Sequence, residues 1–274
     1  MTTAQKVIKY LALAFAMLLT VSIISGILGA LYALSGVLGL KKDNEIIKGE
    51  MSMVDFENGD IATLDIDLTF TNLIIKKGDF LKAETNNSNI NCKQNNQNLQ
   101  IKEKNHGWFL KNNKGDLVVY IPENIKFEKV KINAGAGKVE IENINTKKLD
   151  FDLGAGETKI ENLNVTNDCK IEGGAGRLSI LSGNINDLDL DMGVGKVEIV
   201  STLTGSSKIN AGIGSLELNL QGPKESYKIK ADKGIGSIKI NGTEISDDSS
   251  YGEGENDIKI DGGIGSIKVD FKGE

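Results

Sequence analysis

The sequence is poor in the residues that usually carry chemistry. It holds one histidine and two cysteines in 274 residues. A zinc site draws on several His and Cys side chains held close together. His106, Cys92 and Cys169 stand far apart along the chain and do not supply one. Two cysteines do not make a disulfide-dense scaffold either. A Ser-His-Asp mechanism would have to use His106, which sits in a loop-like HGWF context and reads as a surface or cap residue. Blocks of basic charge are also missing. The formal net charge is −6, with Lys and Asp/Glu interleaved, which argues against a nucleic-acid partner. Between residues 60 and 274 no helical period stands out.

One stretch lacks charge altogether. Tyr10 to Leu40 is 31 residues of apolar and small side chains, and a membrane span needs only about 20. It reads as an uncleaved transmembrane anchor behind a short tail, residues 1–9. A cleaved signal peptide is the rival, although its apolar region is normally about 7–15 residues. Lys6 and Lys9 on one flank and Lys41, Lys42 and Lys48 on the other do not settle the orientation. A signal-anchor with its tail inside would export the β-rich remainder of the chain. Ser22, Gly26 and Ala30, and Ser25, Gly29 and Ala33, repeat at intervals of four, a spacing that lets two membrane helices pack into a homodimer. Residues 41–60 are mixed and charged and read as a linker.

From residue 61 to 274 the chain is one repeat. EKVKINAGAGKVEI, around Gly135, returns around Gly154, Gly174, Gly193, Gly212, Gly234 and Gly263, at spacings of 19, 20, 19, 19, 22 and 29. The kernel is Gly-(Ala/Val/Ile)-Gly, closed by Gly137, Gly156, Gly176, Gly195, Gly214, Gly236 and Gly265. Such a period marks a stacked array. Apolar residues stand five and three positions before the first glycine and four and six after it, so alternation is kept within each limb. The parity slips by one across the kernel. A flat strand cannot do that, so the chain must turn a corner on glycine. The expected unit is strand, glycine corner, strand, return turn. Stacked in parallel, the units make an all-β, parallel β-solenoid. LDIDLTFTNLII, from Leu64, is a degenerate first unit, and residues 79–127 read as an irregular cap. Cys169 occupies an inward column and reads as a buried thiol, with pairing to Cys92 as the alternative.

Seven Gly-x-Gly kernels leading into strands are not a nucleotide loop, which needs a helix after the glycines. No cofactor is implied. His106, Trp108 and Phe109 suit either a cap or a stacking site for a sugar. The column two residues before each kernel, Asn133, Asp152, Glu172, Asp191, Asn210, Asp232 and Asp261, admits two readings. Lysines two positions earlier neutralise it, or a divalent cation such as calcium bridges Asp152, Glu172 and Asp191 through oxygen ligands.

With these columns laid out, LVVYIPENIKFEKVKINAGAGKVEIENI and the recurring G-A-G followed by V-x-I resemble the bacterial family of putative adhesins, a domain of unknown function built of β-strand repeats. The resemblance implies a solenoid at the cell surface, some relatives occurring beside envelope stress systems, and it supplies no catalytic residues. The expectation is a non-catalytic, adhesin-like envelope module on the plasma membrane, binding an envelope protein or a surface glycan. An accessory of an envelope stress system is the alternative, and a polysaccharide-active β-helix enzyme the second alternative.

Overall fold

The computed structural model describes residues 52–56, 61–104, 115–232, 234–245 and 249–272. The apolar segment Tyr10–Leu40 lies outside the described residues, as do His106, Trp108 and Phe109. Among the described residues no helix is long and apolar enough to cross a membrane.

The strands are β1 (Ser52–Asp55), β2 (Thr63–Leu68), β3 (Asn72–Lys77), β4 (Lys82–Thr85), β5 (Ile90–Asn95), β6 (Asn98–Glu103), β7 (Asp116–Ile121) and β8 (Phe127–Ile180). They continue with β9 (Gly183–Asn186), β10 (Leu188–Thr204), β11 (Ser206–Gln221), β12 (Tyr227–Asp232), β13 (Ile235–Ile240), β14 (Thr243–Glu244), β15 (Ser249–Tyr251) and β16 (Asn256–Lys272). Coil 1 is β2 with β3, and coil 2 is β6 with β7. β8 winds without a break through coils 3 and 4 and into coil 5, which β9 completes. β10 and β11 are coils 6 and 7, β12 with β13 is coil 8, and β16 is coil 9.

Neighbouring coils pair in parallel and in register. Leu190 lies opposite Ile171 and Ile209, and Ile199 opposite Ile180 and Leu218. Each match puts an aliphatic on an aliphatic, so the core is a set of ladders. Val130, Ile132, Phe151, Ile160, Ile171, Leu178, Leu190, Ile199, Ile209 and Leu218 are all buried. Each contributes roughly 1.5–3 kcal/mol. The return path is a third strand rather than a turn. Val165 pairs with Ile185, and Ile185 with Leu203, and all three are buried. Its outer face carries asparagine ladders, in which the Asn162 amide donates to Asn143 (2.7 Å) and the Asn164 amide to Asn145 (2.9 Å).

The corner explains the glycines. Gly176 has φ +145° and Gly214 φ +142°, a region that L side chains avoid. A Cβ on Gly176 would collide with the carbonyl oxygen of Gly156, and one on Gly214 with that of Gly195. The hydrogen that replaces it points at that oxygen, a Cα–H···O contact repeated along the stack. The column runs through Gly135 and Gly137, Gly154 and Gly156, Gly174 and Gly176, Gly193 and Gly195, Gly212 and Gly214, Gly263 and Gly265, and Gly234 and Gly236. The last two pairs are out of sequence order.

Spatial order departs from chain order at both ends. β16 pairs with β11 on one side and with β12 and β13 on the other, so coil 9 is inserted between coils 7 and 8. At the other end coil 1 is inserted between coils 2 and 3, because β2 pairs with both β6 and β8 and β3 with both β7 and β8. Antiparallel strands close each end: β4 on β7, β5 on β6 and β1 on β4 at one, β15 on β12 and β14 on β13 at the other. The stretch expected to be an irregular cap thus contains both limbs of a coil, β6 and β7, and Ser52–Asp55, expected in the linker, is a strand of the sheet.

Coil 1 has Thr69-Phe70-Thr71 where coils 3 to 9 have glycine kernels, and no kernel stacks on its outer side among the described residues. The Glu103 carboxylate takes that place. One of its oxygens accepts from the backbone N–H groups of Thr69 (2.7 Å), Phe70 (3.0 Å) and Thr71 (3.3 Å), and the other from the buried Asn87 amide (3.1 Å).

These contacts set three stability outcomes, each read by thermal unfolding of the full chain. Gly176→Val should cost about 2–4 kcal/mol, while Ser179→Ala on the same coil should stay within about 0.5 kcal/mol. Equal effects would remove the corner argument. Glu103→Ala should cost about 1–3 kcal/mol by stranding three amide donors. The Ser207 hydroxyl is buried with no hydrogen-bond partner among the described residues, so Ser207→Ala should be neutral or stabilising by up to about 1 kcal/mol.

Candidate functional site

The outward columns are the first place where chemistry could collect. Asp191 lies opposite Glu172 on one side and Asn210 on the other. Asp152 holds the equivalent position before Gly154, and Gly154 packs against Gly174, so the three acids share a column. Their charges are already engaged in part. The Lys170 ammonium lies against Glu172, and the Asn210 amide donates to Asp191. A cation bridging Asp152, Glu172 and Asp191 would have to displace both. Among the described residues no group of three or more His, Cys, Asp or Glu side chains is gathered closely enough to hold a metal ion.

Ladder pairs recur over the surface: Lys148 with Asp168 (2.8 Å), Arg177 with Glu157 (3.5 Å), Lys196 with Glu198 (3.6 Å) and Lys259 with Asp261 (3.1 Å). Each is exposed or half-exposed and contributes about 0–1 kcal/mol. Together they spread charge evenly along the coils.

Both cysteines are free. Cys169 is buried beside Leu188 in its ladder, and burial pushes its thiol far above the usual range. Cys92 lies in β5, opposite Ile101, and is partly buried, which also raises its pKa. Neither is an activated nucleophile, since reactivity requires the thiolate.

A roomy depression lies elsewhere, at the end closed by β1 and β4. It is an open pocket of about 600 Å³. Phe56 and Leu81 are its buried floor, tied by a Phe56 N–H to Leu81 carbonyl hydrogen bond. Met53 and Phe80 stand on its rim, 58% and 65% exposed. Lys77, Lys82, Asp55, Asp79 and Tyr120 supply polar groups. Lys82, Glu84 and Tyr120 are held together by three interactions. The Lys82 ammonium bonds Glu84 at 2.9 Å and sits 4.4 Å from the centre of the Tyr120 ring, whose hydroxyl donates to Glu84 at 3.2 Å. The bond to Glu84 raises the Lys82 pKa and lowers that of Glu84, and burial followed by the Glu84 charge raises that of Tyr120.

Sequence reasoning did not find this pocket. Its residues come from three separate segments, and Met53 and Asp55 fall in what reads as a linker. The one signal in the chain was LVVYIP, whose Tyr120 points away from the core. The glycine kernels sit on another part of the coils and take no part in the pocket.

Crystal structures of three proteins resemble the chain. One is a putative cell adhesion protein from Clostridium sporogenes, 15% identical, with 82% of this chain and all of that chain covered and a TM-score of 0.37. A putative adhesin from Bacteroides fragilis is 13% identical over 80% of this chain and 97% of its own, with a TM-score of 0.37. A putative adhesin from Parabacteroides distasonis is 15% identical over 82% and 98%, with a TM-score of 0.39. No curated protein matches the chain in sequence. The Toastrack DUF4097 profile matches residues 61–261. That stretch runs from the start of the first described coil into coil 9 and holds the kernel column almost entire, so the chain belongs to the Toastrack DUF4097 family.

Proposed function

We propose that this protein is a non-catalytic, adhesin-like interaction module. An uncleaved N-terminal helix, 10–40, holds it in the bacterial plasma membrane, with the solenoid on the outer side. The uncharged length of Tyr10–Leu40 supports the anchor. The evenly neutralised ladders support a rigid display surface, because a catalytic carboxylate pair needs two acids facing each other across a cleft.

The observation that carries the binding role is the pocket at the β1–β4 end. It combines exposed apolar groups, Met53 and Phe80, with an aromatic ring and a Lys82–Glu84–Tyr120 cluster fixed by mutual contacts. An apolar platform with a few fixed polar groups is what a binding site for a peptide segment or a sugar face requires. Its position favours a second reading, an accessory to a membrane-bound envelope stress sensor. Met53 is 13 residues beyond Leu40 along the chain.

Two measurements test this. External protease on intact protoplasts should remove everything after about residue 45, by the topology assigned to a signal-anchor; full protection would place the solenoid inside and end the surface reading. Phe80→Ala and Tyr120→Ala should lower the yield of neighbours cross-linked in intact cells about tenfold, the usual weight of an aromatic anchor. Unchanged cross-linking in both variants would move the binding site away from the pocket.

A further inference from the structure

The middle residue of each kernel points outward between two glycines that have no side chains. In spatial order these residues are Ala175, Val194, Ile213, Ile264 and Ile235 over coils 5, 6, 7, 9 and 8, each registered on the next. Ile235 is 46% exposed and Ala175 is exposed, while the three between them are half-buried. They form an aliphatic ridge with a rung every 4.8 Å or so.

The two flanks of the ridge differ in chemistry. On one side run Glu172, Asp191, Asn210, Asp261 and Asp232, and on the other Arg177, Lys196, Ser215, Ser266 and Ser237. One flank carries the carboxylates, of which Glu172 and Asp261 already meet Lys170 and Lys259 in exposed pairs. The other is basic, then hydroxyl-bearing. Arg177 bridges Glu157 in the open, and the half-buried Lys196 is shared between Glu198 and Glu217, all at long distances of 3.5, 3.6 and 3.8 Å, so these cations can also meet a further anion.

We propose that this ridge docks a second copy of the chain, with the two solenoids parallel and related by a two-fold axis along the ridge. That operation lays aliphatic on aliphatic at equal height and crosses the flanks. Asp191 then faces the partner's Lys196, and Glu172 faces the partner's Arg177. Asp261 and Asp232 meet serine hydroxyls. The alternative two-fold, perpendicular to the ridge, sets acid against acid, which is repulsive. The contact ends at coil 4, where the same operation would oppose Asp152 to the partner's Glu157. Five rungs span about 25 Å, and with both flanks the buried surface is about 500 Å² per copy, the lower bound for a specific contact. The dimer is therefore weak and reversible. A parallel arrangement points both N-terminal ends the same way, so two copies on one surface can form it. The contact does not depend on the pocket, nor on the anchor.

Single cysteines in the full-length chain, in native membranes and on a Cys92→Ser background, test the geometry. Ile213→Cys and Ile264→Cys should both give an oxidative homodimer, because a two-fold along the ridge brings each residue onto its own copy. Leu181→Cys, exposed but off the ridge, should not. Asp191→Lys should reduce the Ile213→Cys dimer about fivefold, and adding Lys196→Asp should restore it, as expected for two exposed ion pairs. Cross-linking at one ridge position only overturns the parallel arrangement. Equal cross-linking at Leu181, no homodimer at either position, or a charge swap that fails to rescue overturns the proposal.

Discussion

Everything in this molecule depends on one close approach, that of a glycine Cα to the carbonyl oxygen of the coil beside it. At Gly156, Gly176, Gly195, Gly214, Gly265 and Gly236 the corner leaves no room for a Cβ and demands a positive φ. That contact sets coil height and angular register together. Once two kernels are seated, Ile171, Leu190 and Ile209 have no choice but to lie above one another, and so do Ile180, Ile199 and Leu218. The aliphatic ladders provide most of the free energy, but the glycines decide which ladder forms.

Coil 1 shows what the fold does where the glycine corner is absent. It has no glycine kernel, and its amides would be left without partners on the outer side. A carboxylate from coil 2 fills the gap, backed by the buried Asn87, whose amide also reaches the Thr71 hydroxyl at 2.7 Å. A charged group accepting from several N–H donors is a strong, directional substitute for a missing strand. The regular interior ends in a specific polar cap rather than in frayed backbone.

The coil, its corner and its inward columns were legible because period and parity are properties of the chain alone. The order of the coils was not. Any repeat presents the same edge, so nothing in the sequence of coil 9 says whether it seats on coil 7 or on coil 8. Only the kernel spacings of 22 and 29 hint that extra chain is needed to pass a layer and come back. The third strand was hidden because Asn-rich segments such as NINT and NLNV look like turns until their side chains are seen stacking between coils. Glu103 and the pocket residues could not be read, because their partners lie 32 to 34 residues away or, for the pocket, in three separate segments.

Insertion of the first and last coils beneath their neighbours changes how the domain responds to force. A solenoid whose terminal coil is also its outermost layer can be peeled, one ladder at a time, by tension on its end. Here a pull on the N-terminal side first strips the short outermost strand β1 from β4 and then reaches coil 1, which is held by coil 2 above and coil 3 below. Both ladders must yield in the same event, and coil 9 is held the same way at the other end. Chain termini are ordinarily where unravelling begins. In this fold the first and last coils are each held on two sides, so once β1 is gone drag or tethering loads the coils in shear and they resist as a block.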